Sequence, residues 1–165
     1  PRTILVLGAG GVSRAISFGL ASLGAEKIFL IDKDEIKANR LSKDLSILNI
    51  NCVLTKHDQI EKNLSSFDGI INCTPVGHYD FPGCPLGNLM PYKKQWIFDA
   101  VYTPAKTNFI KKGEQVGAKI ISGIDLFIFQ AIDAFLYFTE NKEINHDLTN
   151  HIHKLRKHYF DKLFI

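Results

Sequence analysis

The chain has 165 residues, 45% of them hydrophobic, and a formal net charge of +3 at pH 7, enough for one well-buried domain and too little for two ordinary ones. Lys and Arg are spread along it and the densest basic run, His151–His158, lies near the C-terminus, so the charge demands no nucleic-acid partner and reads as a solvated helix face. Membrane-spanning runs and a secretory leader are lacking, and Cys52, Cys73 and Cys84 are odd in number and without metal-ligand spacing, which points to reduced thiols in a cytoplasmic protein with no metal site.

The chain opens at Pro1 almost directly on an apolar run, as an excised domain would. That run, Ile4–Arg14, reads ILVLGAGGVSR: a strand emptying into a glycine turn and then a helix. Gly8 can adopt the positive φ of a tight turn, Gly10 lets a pyrophosphate approach the backbone, and Ser13 at the third fingerprint position is small enough for close helix–strand packing. Free N–H groups at the helix start, on Gly11, Val12 and Ser13, face such phosphates. The same turn also reads as a device that only lets a helix pack closely.

The first strand is expected near Thr3–Leu7 and the helix near Gly11–Leu23. A second strand, Lys27–Ile31, ends in Asp32, at about the spacing where an acid holds the adenosine ribose of a dinucleotide. Asp34 and Glu35 read as cap and first-turn acid of a helix near Glu35–Leu48. Strands follow near Cys52–Thr55 and Gly69–Asn72. The connection Cys73–Gln95 holds four of the six prolines together with Gly77, Gly83 and Gly87, and reads as a long irregular loop of functional kind. Strands near Trp96–Asp99 and Lys119–Ser122 flank a helix near Asn108–Gly117, and another helix covers Leu126–Thr139. Polar Glu140–Asn145 breaks the pattern before an amphipathic helix, His146–Leu163, which packs outside the sheet or against something outside this chain.

This alternation predicts an α/β fold, a doubly wound parallel sheet of six strands of the Rossmann type with an extra C-terminal helix. The domain boundaries drawn from it are a nucleotide-binding domain over 1–140 and a helical extension over 141–165.

Three later segments, INCTPVG at Ile71–Gly77, FDAVYTPAKT at Phe98–Thr107 and SGIDLFIFQAIDAF at Ser122–Phe135, follow GAGGVSRA in an order and spacing that resemble the shikimate and quinate dehydrogenases over Ile4–Phe138. The resemblance covers the second domain of that two-domain family. It implies that the first domain, with most substrate contacts and a catalytic Lys/Asp pair, is absent here, so no catalytic residue is assigned to this chain. The implied reaction is reversible hydride transfer between a nicotinamide and the alcohol carbon of shikimate, quinate or a similar small molecule, with cofactor NAD or NADP and a proton acceptor elsewhere.

Thr74, Pro75 and Val76 leave a buried strand at the sheet's carboxyl edge, where ligands of open α/β folds sit; Pro75 also reads as mere turn punctuation. By resemblance Ala100 lies beside the nicotinamide and Tyr102 reaches the substrate, although a Tyr after a strand is also an ordinary packing residue. The family likewise puts Gly123 against the nicotinamide and Gln130, two helical turns on, at a substrate hydroxyl that an amide can serve as donor and acceptor.

Asp32-Lys33-Asp34 departs from the Asn-Arg-Thr cluster with which the commoner shikimate dehydrogenases grip the 2′-phosphate of NADP. A carboxylate accepting ribose hydroxyls makes hydrogen bonds of about 1.5–3 kcal/mol, and against a 2′-phosphate it meets repulsion of roughly 4 kcal/mol per charge pair at 4 Å. NAD is therefore favoured, with Lys33 and Lys37 able to offset part of the repulsion. His78 stands where the family has methionine and reads as a loop residue. His146, His151, His153 and His158 read as solvated, since i,i+7 is too far for one metal, and Lys106 reads as helix-start decoration. Two other classes remain open: a non-catalytic NAD-binding sensor or interaction module, and a methyltransferase with a similar glycine turn.

Overall fold

A computed structural model describes residues 2–139 and 146–162. Strands and helices alternate along it except between the fourth and fifth strands, which a long loop joins. The strands are β1 (Thr3–Leu7), β2 (Lys27–Ile31), β3 (Asn51–Leu54), β4 (Gly69–Asn72), β5 (Trp96–Asp99) and β6 (Lys119–Ile121). They form one parallel six-stranded sheet in the order β3-β2-β1-β4-β5-β6. The reversal of strand order between β1 and β4 is the switch point of a Rossmann fold, and it opens a crevice beyond the carboxyl ends of those strands.

Handedness decides which face each helix covers. Steps from β1 to β2 to β3 run one way along the sheet, and right-handed crossovers put α1 (Gly11–Ser22) and α2 (Glu35–Ser46) on the same face. There Leu20, Ala38, Leu41 and Leu45 bury against Ile4, Val6, Ile28 and Leu30. The return past β1 runs the other way, so α3 (His57–Asn63) and α4 (Asn108–Val116) cover the opposite face, where Ile60, Phe109, Phe67 and Leu64 meet Leu5, Leu7, Ile70 and Ile97.

α3 and the 3₁₀ turn at Leu64–Ser66 are absent from the sequence reading. The helix is seven residues long with one buried side chain, Ile60, too short for a period to be visible. Its start is fixed by Gln59, whose Oε1 accepts from the Lys56 amide at 3.2 Å. α5 spans Gly123–Phe138, beginning three residues before the expected Leu126. Asp125 accepts from the Ser122 amide at 3.3 Å, so Ser122-Gly-Ile-Asp125 is a helix-start signature in which the apolar period comes later. Other ends shift by one or two residues, the ordinary fraying of termini. Cys73–Gln95 contains no helix, and its Leu86 and Leu89 pack on the second core.

α6 covers His146–Lys162 and packs on α5 rather than the sheet: Ile152 buries with Ile124, Ile128 and Ile132, and Arg156 Nε pairs with Asp125 at 2.6 Å. Pro1, the break at Glu140–Asn145 with the boundary drawn at 140/141, and the expected helix end at Leu163 lie outside the described residues. Among those residues no helix is long and apolar enough to cross a membrane.

The start of α5 tolerates no side chain. A Cβ on Gly123 would lie 2.6 Å from the Val101 carbonyl oxygen and 2.7 Å from that of Ala100, and backbone cannot rotate away as a side chain can. Gly123→Ala is expected to lower the unfolding free energy by about 1–3 kcal/mol, measured as a shift in the urea midpoint at constant slope; an unchanged midpoint would refute this packing.

Candidate functional site

The crevice at the carboxyl edge holds two cavities that share a wall. The first, about 540 Å³, is lined by Gly8, Gly10, Asp32, Lys33, Asp34 and Lys37 on one side and Thr74, Pro75, Val76 and Phe81 on the other. The second, about 480 Å³, continues past Val12 and the shared residues Cys73, Thr74, Pro75 and Phe81 to His78, Ala100, Tyr102 and Thr103. A larger depression of about 840 Å³ lies on the sheet face over Ile71, Trp96 and Phe98, away from this edge.

Backbone geometry explains the glycine turn. Gly8 has φ +99°, and a Cβ on it would stand 3.0–3.1 Å from Cys73 backbone atoms and the Thr74 methyl, so the turn needs glycine both for its dihedral and for its contact with β4. Gly10 is the N-cap of α1 with ordinary φ −78°, and nothing lies within 4 Å of where its Cβ would be. That open ground in front of the free α1 amides of Gly11 and Val12 is the shape an anion needs. Ser13 has no exposed surface and lies beside the Cys73 thiol; its small size, rather than its hydroxyl, is what the packing uses.

Asp32 fastens the turn to the end of β2. Its Oδ2 accepts the Ala9 amide at 2.5 Å and its Oδ1 the Asp34 amide at 2.8 Å. Asp34 caps α2 through the amides of Ile36 and Lys37, both at 3.1 Å, and Lys37 Nζ lies 3.4 Å from its carboxylate.

The second half of the crevice hangs on a buried polar network. Asn72 Nδ2 donates to Asp99 Oδ1 at 2.8 Å and to the Val76 carbonyl at 2.9 Å, while its Oδ1 accepts from the Thr74 amide and hydroxyl at 3.0 and 2.6 Å. Asp99 also accepts the Val101 amide at 3.1 Å and the Thr107 hydroxyl at 2.5 Å, and Thr107 in turn caps α4 at the Ile110 amide. Tyr102 is half exposed, with its ring stacked on Phe127 at 5.2 Å.

Other expected positions fall differently. Gly123 is buried under the carbonyls of Ala100 and Val101, and Gln130 is exposed on α5; neither lines the two cavities. Lys106 pairs with Glu114 at 3.0 Å. His78 accepts the Asp80 amide on Nδ1 at 3.2 Å, which leaves its proton on Nε2 when neutral. His151, His153 and His158 are exposed, and the side chain of His146 lies outside the described residues. Sequence reasoning missed His57, Phe81, Cys84 and Pro85 in the first cavity. His57 opens the unrecognised α3, and the other three sit in a loop whose path no periodicity encodes. Burial pushes the Cys73 thiol up to about 12 and raises Cys52 and Cys84 as well, so none offers a thiolate near neutral pH.

No family model matches the chain. It is 34% identical over 142 residues to shikimate dehydrogenase (NADP+) of Methanococcus maripaludis, covering 84% of this chain and 50% of that protein. It is 30% identical over 139 residues to quinate/shikimate dehydrogenase (NAD+) of Corynebacterium efficiens, covering 83% and 49%. The chain thus spans about half the length of the curated relatives it matches. Among solved structures it superposes on quinate dehydrogenase from Corynebacterium glutamicum in complex with NAD with a TM-score of 0.82 at 27% identity, over 97% of this chain and 55% of that one.

Burial raises Asp99 to about 6 against the pull of Thr107, Val101 and Asn72. A carboxyl raised above its unfolded value of 3.8 contributes its stability in full below about pH 4 and loses it as pH rises through about 6. Asp99→Asn stays neutral throughout. The stability of the native chain relative to this variant is therefore expected to fall between about pH 4 and pH 7 by on the order of 2–3 kcal/mol, read from urea midpoints across that range; a difference independent of pH would show that Asp99 does not titrate here.

Proposed function

From the chain's homology to the second, nucleotide-binding half of the shikimate and quinate dehydrogenases, we propose that it holds NAD at the carboxyl edge of its sheet for hydride exchange with a cyclic polyol acid. The observation that carries this reading is the continuity of the crevice. An acid-ended strand stands at one end, open amides stand in the middle, and Ala100 and Tyr102 stand at the other.

The residues present fit a dinucleotide. Gly8, Gly10, Gly11 and Val12 would hold its pyrophosphate through backbone amides, with Ser13 keeping the helix close. Asp32 would take the ribose hydroxyls: its two oxygens each carry one backbone N–H, which leaves a free lone pair on each. Lys33 and Lys37 border the same end. Thr74, Pro75 and Val76 would form the opposite wall, and Ala100 would flank the nicotinamide, with Gly123 supporting the strand end behind it. When bound, the nicotinamide supplies the hydride chemistry. Tyr102 and Gln130 would meet the substrate across the cleft.

Proton transfer is a different matter. Asp99 is fully buried with donors on both oxygens, and Lys106 is engaged by Glu114, so neither is available to an alcohol. The acceptor and most substrate contacts would come from a substrate domain beyond this chain. Residues 1–140 would then be the nucleotide domain and 141–165 a helical extension. On this reading the whole protein is a cytoplasmic oxidoreductase, of aromatic amino acid biosynthesis if shikimate is its substrate.

Titration calorimetry is expected to find NAD bound in preference to NADP, and Asp32→Asn to shift that preference toward NADP. Gly10→Val fills open space rather than packed core, so it should keep its melting curve while losing about two powers of ten in NAD affinity, the worth of roughly two amide–phosphate hydrogen bonds. Retained affinity in Gly10→Val would remove the phosphate assignment.

The 165-residue chain alone is expected to give no shikimate- or quinate-dependent reduction of NAD. Correct placement of both reactants supplies roughly 7–11 kcal/mol of an enzyme's effect, and one wall of a cleft cannot provide it. Measurable turnover in an absorbance assay would mean that an acceptor lies within the chain.

A further inference from the structure

His78 borders the second cavity together with Ala100 and Tyr102, and its backbone is fixed on both sides. Its amide donates to the Pro75 carbonyl at 3.0 Å, its carbonyl accepts from the Phe81 amide at 3.0 Å, and the Gly77 amide closes the same turn on the Phe81 carbonyl at 2.8 Å. The Thr74–Val76 turn just ahead of it hangs from the Asn72 side chain. The half-buried ring is thus carried by the network that shapes the crevice, not by a free loop.

The imidazole has a partner in either protonation state. When it is neutral, Nδ1 accepts the Asp80 amide at 3.2 Å; when it is protonated the same nitrogen becomes a donor, and the Asp80 carboxylate lies 3.4 Å away to receive it. The other ionisable groups around it are Tyr79 on its own loop, Cys73 and Tyr102 on the cavity wall, and Asp99 buried behind Asn72. Burial keeps Cys73 a neutral thiol. Among the described residues lining this cavity Asp80 carries the negative charge, so the wall is negative beside a neutral imidazole and loses that net charge when the ring takes a proton. Oxidised NAD has a positively charged pyridinium ring and NADH a neutral dihydropyridine, while the rest of the two molecules is the same. A change of charge on this wall therefore acts on one form and spares the other.

We infer that His78, partnered by Asp80, is a specificity-determining residue that sets the relative affinity of this site for oxidised and reduced cofactor, its neutral ring favouring NAD and its imidazolium favouring NADH. This rests on the reading of the crevice as a dinucleotide site with the nicotinamide in the second cavity, and deepens it. Specificity is a difference of affinities, and a repulsive element contributes to it as surely as an attractive one. Protonation of Asp99 acts in the same sense from deeper in the fold, so the share of His78 is the difference between the native chain and one that lacks the imidazole.

The test is calorimetric titration of NAD and of NADH into the native chain, His78→Gln and His78→Met, at about pH 8 and about pH 6, with thermal melts alongside. One replacement is polar and the other apolar, so each checks the other against misfolding. The expected result is a ratio of NADH to NAD affinity that rises about threefold more on acidification in the native chain than in either variant. By linkage, the His78 Cε1 proton resonance of the native chain is expected to titrate at lower pH with NAD bound than with NADH bound. That second readout needs no variant and decides the matter if both variants unfold. If the ratio responds to pH alike in all three chains, or if His78 titrates at the same pH with either cofactor, the inference is overturned while the site assignment stands. A native chain that binds neither form overturns the site assignment itself, and this inference with it.

Discussion

The constraint on which the crevice depends is the burial of Asp99. A carboxyl group with no exposed surface must either lose its charge or be met by donors, because leaving it bare would cost several kcal/mol. Here Asn72, Val101 and Thr107 all donate to it. Each donor belongs to a different part of the edge: the last residue of β4, the loop after β5, and the cap of α4. Satisfying one buried charge therefore fixes the relative positions of two adjacent strand ends and both loops that leave them. Asn72 uses its whole amide in doing so, with two donors and two acceptor contacts, and the Thr74–Val76 turn inherits its path from that pairing.

Asp32 performs the same kind of work at the other end of the crevice by different means. It is half-buried rather than buried, and its partners are backbone amides on either side of the gap between β1 and β2. The glycine turn is thus tied to β2 by Asp32 and to β4 by close contact at Gly8. Both ends of the crevice are held by acids accepting backbone N–H groups. Of these two acids only Asp32 retains exposure, so it alone remains accessible to a ligand.

Much of this could be read from the chain. Strand positions were legible because each is a short β-branched or aromatic run ended by a turn residue, and four of six coincide residue for residue with the strands observed. The glycine turn and the acid after β2 were legible because each has a sequence spacing tied to a geometric need. Less visible were features made by tertiary contact. Asp99 looks like any strand-ending acid until Thr107 and Asn72 are seen around it. Phe81 belongs to a loop with no period, and the N-cap of α3 is Lys56 rather than a Ser, Thr, Asp or Asn, so no capping residue announced it. Asp34 was legible as a cap, but its contact with Lys37 at the cavity wall emerges only when α2 is placed.

Neither cavity of the crevice is by itself as large as the depression on the sheet face, and the reason that depression exists follows from handedness. Every crossover after β3 runs toward β6, so α3 and α4 both lie on one face, and the other face of β4, β5 and β6 carries no crossover helix. Trp96, Phe98 and Ile71 line the broad hollow left there together with the exposed cations Arg2, Lys94 and Lys119, which are flexible side chains rather than backbone amides held in place. A ligand bearing phosphates needs amides whose dipoles are already aimed, since reorienting them on binding would cost what the contacts gain. At the carboxyl edge the α1 amides, the acids after β2 and the loops held by Asn72 and Asp99 are fixed before anything binds. The volume of a single cavity therefore does not pick out the site, and for a charged dinucleotide the chemistry decides.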